Sequence, residues 1–514
     1  MNRREALKIS GAAMCSLVQS LAVSNASSPK SIAALQTPIE RWGVFEASFR
    51  GPDSGNPFLD VSFKAIFRQQ NRTVTVPGFY DGGGVFRVRF MPEDLGGWTF
   101  ETVSSTPDLN GKTGQFEVVA ASKNNHGPVS VTGGRHFCYA DGVTFSPFGT
   151  TCYAWIHQGD MLEEETLKTL ATTPFNKIRM CVFPKSFPYN KNEPVYYPFP
   201  RDASGKNNTQ VFNVEFFQHL ERRIQNLCDL GIEADVILFH PYDRWGYSSL
   251  PAEVNDHYLR YVIARLASYR NVWWSLANEY DSVKTKTMAD WDRFARIVEE
   301  EDPFHHLRSI HYNKQVYDYS KQWATHAGVQ SYDFICEFPK TKQWFLDWRK
   351  PIIFDEFQYE GNISDRWGNL SPEEMTRRCW LCIISGCYAS HGETYRDPND
   401  IIWWSKGGKL HGSSPERIRF LRKIVEECAN VGLRAVDDSY YLSAAAGQDT
   451  ILYYFDYHRP YEYEFKLPAG SSYRAELIDP WNMTITSVQG TFTGTAKLKL
   501  SERPFQAVRF SKTF

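Results

Sequence analysis

The residues best suited to chemistry in this chain are two pairs that each contain a carboxyl group and close an apolar run, which we call the acidic pairs. In the stretch NVWWSLANE a tryptophan-rich run ends in Asn278 and Glu279, and in KPIIFDEF a second run ends in Asp355 and Glu356. Two carboxyl groups in one pocket can cleave a glycosidic bond: one attacks the anomeric carbon, while the other donates a proton and later takes one from water. That chemistry uses neither a metal nor a cofactor, and we expect neither here.

Only one member of the second pair can share a pocket with Glu279, because successive side chains along a strand point to opposite faces. We predict that Glu356, nearer the end of its run, is the nucleophile, that Glu279 is the acid/base, and that Asp355 is an acceptor behind the wall. The charge of Glu356 should raise the pKa of Glu279, and the carboxyl groups should lie ~5 Å apart. The alternative is that Asn278 and Glu279 merely begin a loop.

Further polar and aromatic residues follow the other apolar runs and are predicted to bind substrate. Arg179 either pairs with Asp355 or keeps Glu356 ionised by its charge. The other candidates are Asn278, His240, Asp243, His326, Tyr332, His391 and Glu393, with the sugar-stacking indoles of Trp155, Trp245, Trp403 and Trp404. For His326 and Tyr332 a place in the core is equally open, His391 and Glu393 could instead pair with Arg396, and Glu393 is the second candidate for the nucleophile.

Alternating strands and helices are needed to bring these residues together. Between residues 126 and 435, eight short apolar runs alternate with amphipathic helical patterns, as where FNKIRMCVF is followed by VEFFQHLERRIQNLCDLG and IEADVILFH. Eight such strands over ~300 residues predict a (β/α)8 barrel. Active sites of these barrels lie at the carboxyl ends of the strands, which is where both acidic pairs fall.

All-β segments flank the predicted barrel. Residues 36–125 and 436–514 show period-2 hydrophobicity broken by Gly, Pro, Asp and Asn, as in TVTVPGFYDGGGVFRVRF and TILYYFDY. Each segment predicts a small antiparallel β-sandwich. The predicted fold class is therefore multidomain, α/β plus all-β, with a central TIM barrel between two sandwiches.

The first 30 residues have the pattern of a signal peptide. The charged stretch NRREALKIS precedes the weakly apolar GAAMCSLVQSLAV and the small residues SNASS. Arg3 and Arg4 indicate the twin-arginine route, and general secretion is the alternative. We therefore expect an exported protein, periplasmic or extracellular. No later window offers the ~20 apolar residues of a membrane span.

Composition narrows the possible partners. The net charge of −2 provides no basic surface for nucleic acid. Aromatic residues make up 15% of the chain, which sugar-stacking faces or large cores would explain. Cys379, Cys382 and Cys387 cluster without a second pair or a nearby histidine, which predicts core thiols and not a metal site. The sequence does not indicate an oligomeric state.

The two acidic motifs also resemble a known group of enzymes. WWSLANE followed by KPIIFDEFQYEG, together with Arg179, resembles the clan A retaining glycoside hydrolases, in which a strand-four Asn-Glu pair holds the acid/base and a strand-seven Glu is the nucleophile. FGTTCYAW, NKIRMCVFP and DEFQYEG look like the apiosidase-like barrel group, whose three-domain members carry an Ig-like domain before the barrel and a β-sandwich after it.

The resemblance implies a carbohydrate substrate, a plant cell-wall glycan being favoured, with Asn278 donating to the sugar 2-hydroxyl. The apiosidases differ in carrying an aspartate in a Gly-rich setting where this chain has Asn278 and Glu279. Two other functions fit the same residues. An endo-acting β-mannanase or β-glucanase of the clan would have an open cleft, and a non-catalytic carbohydrate-binding protein would release no reducing ends.

Overall fold

The structure is a computed structural model that describes residues 38–332, 334–399, 401–428, 432–436 and 440–513, with the backbone alone for 334–339. The predicted signal peptide, residues 1–30, lies outside the described residues.

Eight parallel strands form the centre of the fold, one in each predicted apolar run. They are β1 (Phe148–Thr151), β2 (Lys177–Cys181), β3 (Glu233–Phe239), β4 (Val272–Ala277), β5 (Arg308–Ser309), β6 (Ala327–Gln330), β7 (Ile352–Glu356) and β8 (Tyr388–His391). Their order in the sheet is β5-β4-β3-β2-β1-β8-β7-β6, and a parallel bridge between His311 and Gly328 joins the two edges. The sheet therefore closes into the predicted barrel.

Helices cover the outside of the barrel. The long ones are α1 (Asp160–Leu170), α2 (Val214–Asp229), α3 (Ala252–Leu266), α4 (Met288–Glu301), α5 (Phe334–Trp348), α6 (Pro372–Ile384) and α7 (Ser414–Cys428). Short helical turns lie at Pro57–Asp60, Trp155–His157, Tyr247–Ser249, Tyr280–Ser282, Arg366–Gly368 and Trp403–Lys406. The cysteines Cys379 and Cys382 lie in α6 and are buried free thiols, as is Cys387 just beyond it.

A seven-stranded mixed sheet, in which most neighbouring strands run antiparallel, precedes the barrel. Its strands are Ile39–Glu40, Phe45–Arg50, Phe63–Gln69, Arg72–Tyr80, Val85–Phe90, Gly96–Ser104 and Thr113–Val119. The strand Arg72–Tyr80 pairs first with Phe63–Gln69 and then with Val85–Phe90, so the sheet folds over on itself. Stacked rings fill the space between its halves, with Phe45 and Phe116 at 3.9 Å between ring centroids.

The C-terminal domain is also all-β. A six-stranded sheet contains Arg434–Ala435, Leu442–Ala446, Thr450–Tyr454, Tyr473–Asp479, Thr484–Phe492 and Ala507–Lys512, and a two-stranded sheet contains Glu462–Lys466 and Thr495–Lys499. Phe465 and Phe510 pack between them at 5.0 Å. Two all-β domains flanking a (β/α)8 barrel confirm the predicted fold class.

A small sheet closes the amino-terminal end of the barrel. Its strands are Val129–Thr132, His136–Tyr139 and Thr144–Phe145. At the opposite end of the barrel, the two-residue strands Glu360–Gly361 and Glu393–Thr394 pair with each other. The ring of Phe137 packs against Trp273 at 5.2 Å and Tyr388 at 5.3 Å. Since Trp273 and Tyr388 belong to β4 and β8, this end of the barrel is filled with apolar side chains.

Buried ion pairs join the N-terminal domain to the barrel. The guanidinium of Arg265, on α3, contacts Glu221 on α2 and Asp81 of the N-terminal domain, the latter at 2.8 Å. Arg89 completes the connection by contacting Glu221 and Glu46, both at 2.8 Å. The two domains therefore share one charged core. None of the helices in the described ranges combines the length and the apolar character needed to cross a bilayer.

Candidate active site

A pocket of ≈ 160 Å³ opens at the carboxyl ends of the barrel strands. The side chains that line it are Tyr153, Lys185, Phe187, Tyr242, Asn278, Glu279, Asn313, Gln330, Ser331, Tyr332, Glu356, Gln358, Tyr359, Trp367 and Trp404. Glu279 and Glu356 thus reach one pocket from β4 and β7, as the strand-end argument predicts for a barrel.

Glu279 follows β4 in a backbone conformation that is unusual for a residue with a side chain. Its φ of 51° and ψ of 57° lie in the left-handed region, which costs of order 1 kcal/mol or more and is found at functional sites. The turn aims its carboxyl group into the pocket, where Oε2 accepts a hydrogen bond from the Tyr242 hydroxyl. The Gln330 amide donates a hydrogen bond to the other carboxyl oxygen, Oε1, at 3.3 Å.

Burial, and then the negative charge of Glu356, raise the pKa of Glu279 to about 7. Hydrogen bonds from Tyr242 and Gln330 and the charge of Lys185 act in the opposite direction but are outweighed. The predicted direction of the shift is confirmed, with burial as the larger cause. Glu279 is therefore mostly protonated below about pH 7.

Glu356, the last residue of β7, is held in the opposite state. Its Oε1 accepts a hydrogen bond from the Tyr153 hydroxyl and another from Arg179 Nη1 at 3.3 Å. Burial alone would raise the pKa of Glu356, but the interactions with His311, Arg179 and Lys185 and the hydrogen bond from Tyr153 outweigh it and lower the pKa. Below about pH 7 the pocket thus contains a protonated Glu279 beside an ionised Glu356.

A buried ion network supports Glu356 from below. Lys177 contacts Asp235 and, at 3.2 Å, Asp355, while Arg179 Nε lies 3.7 Å from Asp235 and 3.8 Å from Asp355. Although burial acts to raise it, the charges of Lys177 and Arg179 lower the pKa of Asp355 to about 2. Arg179 therefore fills both roles left open by the sequence, since it faces Asp355 and also hydrogen bonds to Glu356.

Asn278 is fixed by the same arginine. Its Oδ1 accepts from Arg179 Nη2 at 3.1 Å and lies 3.0 Å from the Tyr153 hydroxyl, whose one proton Glu356 also faces. Because the guanidinium occupies this oxygen, the amide nitrogen is the group that Asn278 can offer to a ligand. Of the predicted binding residues, Asn278, Tyr332 and Trp404 line the pocket, and Arg179 contacts two of the pocket residues, Glu356 and Asn278.

Three predicted binding residues near β3 lie away from the pocket lining. His240 is buried with its Nε2 3.0 Å from the carbonyl oxygen of Phe183. Asp243 accepts hydrogen bonds from the backbone N–H groups of Trp245 and Ser248, both at 2.7 Å. The indole of Trp245 donates to Glu193 at 2.8 Å. These side chains shape the loop, and Tyr242 is the one that reaches Glu279.

The predicted histidines and the second nucleophile candidate also lie outside the pocket lining. His326 is buried against Trp273 at 5.3 Å, deep in the barrel, because it precedes β6 and so points toward the closed end. His391 stacks on Phe175 at 4.8 Å. Glu393 accepts from the backbone N–H groups of His411 and Gly412 at 2.6 and 2.9 Å, so it anchors a loop.

Among the described residues, Glu360, His391 and Glu393 have side-chain atoms close enough to hold a metal ion, within 4.8 Å of one another, as do Asp160, Glu163 and His219. Both carboxylates of the first group already accept several hydrogen bonds: Glu360 from Ser413 and Ser414, and Glu393 as above. Their contacts are those of carboxylates that fasten the loop before α7.

The tryptophans differ from the prediction. Trp155 is 0% exposed and Trp403 is 1% exposed, so neither presents a face to a sugar. Trp403 instead donates to the Thr150 hydroxyl at 2.9 Å. The two neighbours Trp403 and Trp404 lie on one short helical turn and point in different directions, and Trp404 is the one that lines the pocket.

Sequence reasoning did not select several residues of the pocket. Tyr153 follows β1, Lys185 follows β2, and Tyr359 and Trp367 follow β7. All lie in segments that leave the carboxyl ends of strands, and that position is the signal that could have identified them. Their distance from the strand ends varies from two residues to about ten, so spacing alone does not separate them from their neighbours.

A closed barrel with two carboxyl groups at its strand ends has the architecture of the glycoside hydrolases. The family model described as apiosidase-like, catalytic domain, matches residues 131–429. The chain belongs to this apiosidase-like family. The domains of unknown function DUF5060 and DUF5605 match residues 38–105 and 438–511, on either side of it.

Solved structures agree with this assignment. A candidate glycoside hydrolase from Bacteroides vulgatus ATCC 8482 is 40% identical, with a TM-score of 0.89 over 93% of this chain and 100% of that chain. A glycoside hydrolase family 5 protein from the same organism is 13% identical, with a TM-score of 0.60 over 76% of this chain and 94% of that chain, which shows the fold. The comparison with curated proteins found no match.

Proposed function

We propose that this protein is a retaining glycoside hydrolase that cleaves a poly- or oligosaccharide by double displacement. The observation that carries the proposal is the pair of carboxyl groups on one pocket with pKa values displaced in opposite directions, that of Glu279 raised to about 7 and that of Glu356 lowered. Carboxyl groups with opposed pKa values mark the acid and the nucleophile in such enzymes. The family and the Bacteroides vulgatus relative support the same activity.

In this mechanism the ionised Glu356 attacks the anomeric carbon while Glu279 protonates the departing oxygen. Formation of the glycosyl ester removes the negative charge of Glu356, so the pKa of Glu279 falls and its carboxylate can take a proton from water. That water then releases the sugar with its original anomeric configuration. Asn278, with its amide nitrogen available, would donate to the sugar 2-hydroxyl.

The pocket favours a sugar at a chain end over a long internal segment. Its volume of ≈ 160 Å³ is below the ~300–1,000 Å³ of sites for drug-sized ligands, and it suits about one sugar ring. Tyr359, Trp367 and Trp404 supply aromatic faces around it. We favour a glycan of plant cell-wall type, on the resemblance to the apiosidase-like enzymes, and export to the periplasm or the medium.

The proposal is tested with plant and bacterial glycans and aryl glycosides, comparing wild type, Glu356→Ala and the surface control Glu253→Ala. We expect wild type and the control to release sugar and Glu356→Ala to lose at least ~10³-fold in rate, because no covalent intermediate can form. Proton NMR of the first product should show retained anomeric configuration. An inverted product, or sugar binding without release by wild type, would overturn the mechanism.

A further inference from the structure

Lys185 is a buried cation of the pocket that the mechanism above does not use. It lies four residues beyond the end of β2, is 2% exposed, and contributes to the pocket lining. Lysine is rarely buried to this extent without a partner, because removing an ammonium group from water is costly. Its position therefore calls for a compensating interaction.

Aromatic faces provide part of that compensation. Lys185 Nζ lies 3.6 Å from the ring centroid of Tyr153, 4.3 Å from Tyr242 and 4.6 Å from Trp404. The negative face of an aromatic ring attracts a cation at this range. Tyr153 and Tyr242 are also the residues whose hydroxyls hold Glu356 and Glu279, so the ammonium group is fixed beside both acids.

Within the described part of the chain, the contacts of the ammonium group are with aromatic rings and include no hydrogen bond to an acceptor, yet it has three N–H bonds to donate. Rings attract the charge but do not replace the oxygen atoms that an ammonium group finds in water. An oxygen-rich ligand in the pocket would supply them. The aromatic cage leaves the open side of the pocket as the direction in which such a ligand must lie.

Charge decides which oxygen-rich ligand fits. Lys177 and Arg179 face Asp235, Asp355 and Glu356, so Lys185 is the cation that balances the remaining negative charge when Glu279 holds its proton. A carboxylate on the sugar would add an uncompensated charge next to Glu356. Hydroxyl groups accept hydrogen bonds from an ammonium group without that penalty.

We propose that Lys185 is the specificity-determining residue of the pocket, and that its ammonium group donates hydrogen bonds to the hydroxyl oxygens of a neutral sugar. This inference rests on the proposed glycosidase function and adds the class of sugar. It makes Lys185 a binding residue that also contributes to the ionised state of Glu356.

The test measures kcat and KM for wild type, Lys185→Met, Lys185→Gln and the exposed control Lys191→Met on the same loop, using the aryl glycoside that wild type cleaves and its monodeoxy analogues. We expect both Lys185 variants to lose about 10- to 100-fold in kcat/KM, mostly through KM, as for a charged hydrogen bond. One deoxy analogue should lose a similar factor in wild type and less than about 3-fold in the variants, and the control should match wild type.

A role in packing alone predicts that every deoxy analogue loses the same factor in wild type and in both variants, and that result overturns the inference, as would unchanged kcat/KM. A glycuronide preferred by wild type but not by Lys185→Met also overturns it, because the partner would then be a carboxylate. If wild type cleaves no glycoside, the proposed function fails separately. Calorimetry with neutral monosaccharides then decides: tighter binding to wild type supports the role of Lys185, and equal binding refutes it.

Discussion

At the scale of single residues, the pocket separates two chemically similar side chains by their surroundings. Glu279 is buried beside the negative charge of Glu356, and its hydrogen bonds from Tyr242 and Gln330 do not offset this. Glu356 is hydrogen bonded to the guanidinium of Arg179, which favours the carboxylate. The division of labour therefore follows from the guanidinium that Glu356 faces and Glu279 does not.

The pH dependence of kcat/KM should reveal the acid. Because the pKa of Glu279 is raised to about 7, it is protonated below that value, and activity should fall as pH rises through it. Glu279→Gln should lose about 10²- to 10⁴-fold on substrates whose leaving group needs a proton. An activated aryl glycoside, which needs none, should show no alkaline fall near pH 7 in this variant. Persistence of that fall would assign it to another group.

At the scale of elements, the hydrophobic pattern was sufficient to place all eight barrel strands, because strands buried on both faces form uninterrupted apolar runs. The acidic pairs could be identified because they end such runs. Side-chain direction on the connecting segments could not be predicted, since it depends on packing between distant loops. Trp403 and Trp404 illustrate this: adjacent indoles on one turn, one against Thr150 and the other in the pocket.

Gly328 in β6 shows how closely the barrel wall supports the site. A Cβ atom at this position would lie 2.6 Å from Asp355 Oδ2, within the ion network below Glu356. Gly328→Ala should therefore destabilise the fold by about 1–3 kcal/mol and lower kcat, since displacement of Asp355 disturbs Arg179. Denaturant unfolding and steady-state kinetics measure both effects.

Gly97 in the N-terminal sheet is the matched control, because an added Cβ there would meet only the end of the Glu117 side chain, at 3.5 Å. Gly97→Ala should change the free energy of unfolding by at most about 0.5 kcal/mol. The change in kcat should likewise correspond to at most about 0.5 kcal/mol in activation free energy. Equal effects of the two substitutions would show that the barrel wall adjusts freely around Asp355.

At the scale of the whole molecule, the charged core between the N-terminal domain and the barrel makes the two parts interdependent. Arg265 is 0% exposed and faces Glu221 and Asp81 from different segments of the chain. Removing one partner of a buried ion pair leaves an uncompensated charge. The free energy lost in this way is larger than the net stabilisation that the intact pair provides. The N-terminal domain should therefore unfold together with the barrel.

Arg265→Met should destabilise the protein by about 3–5 kcal/mol at pH 7, whereas Arg260→Met, at the exposed pair with Glu301, should cost at most about 1 kcal/mol. Burial acts to raise the pKa of Glu221, but Arg265 and Arg89 lower it from 4.5 to about 2. The stability that the ionised Glu221 contributes is therefore present above pH 4.5 and is lost as the pH falls toward 2. The difference between wild type and Arg265→Met should shrink over that range. Urea unfolding at pH 7 and pH 3 measures it, and a pH-independent difference would contradict the assignment.

The small sheet at the amino-terminal end of the barrel limits how a sugar can enter and leave the site. Within the part of the chain that the structure describes, Phe137 and its neighbours fill that end, so the pocket does not continue through the barrel. Under the chain-end cleavage proposed above, the sugar cut from a chain end would have to leave by the route on which it entered. Such cleavage would be distributive, with release of both products after each cut, and the liberated sugar would compete with the next chain end for the same opening.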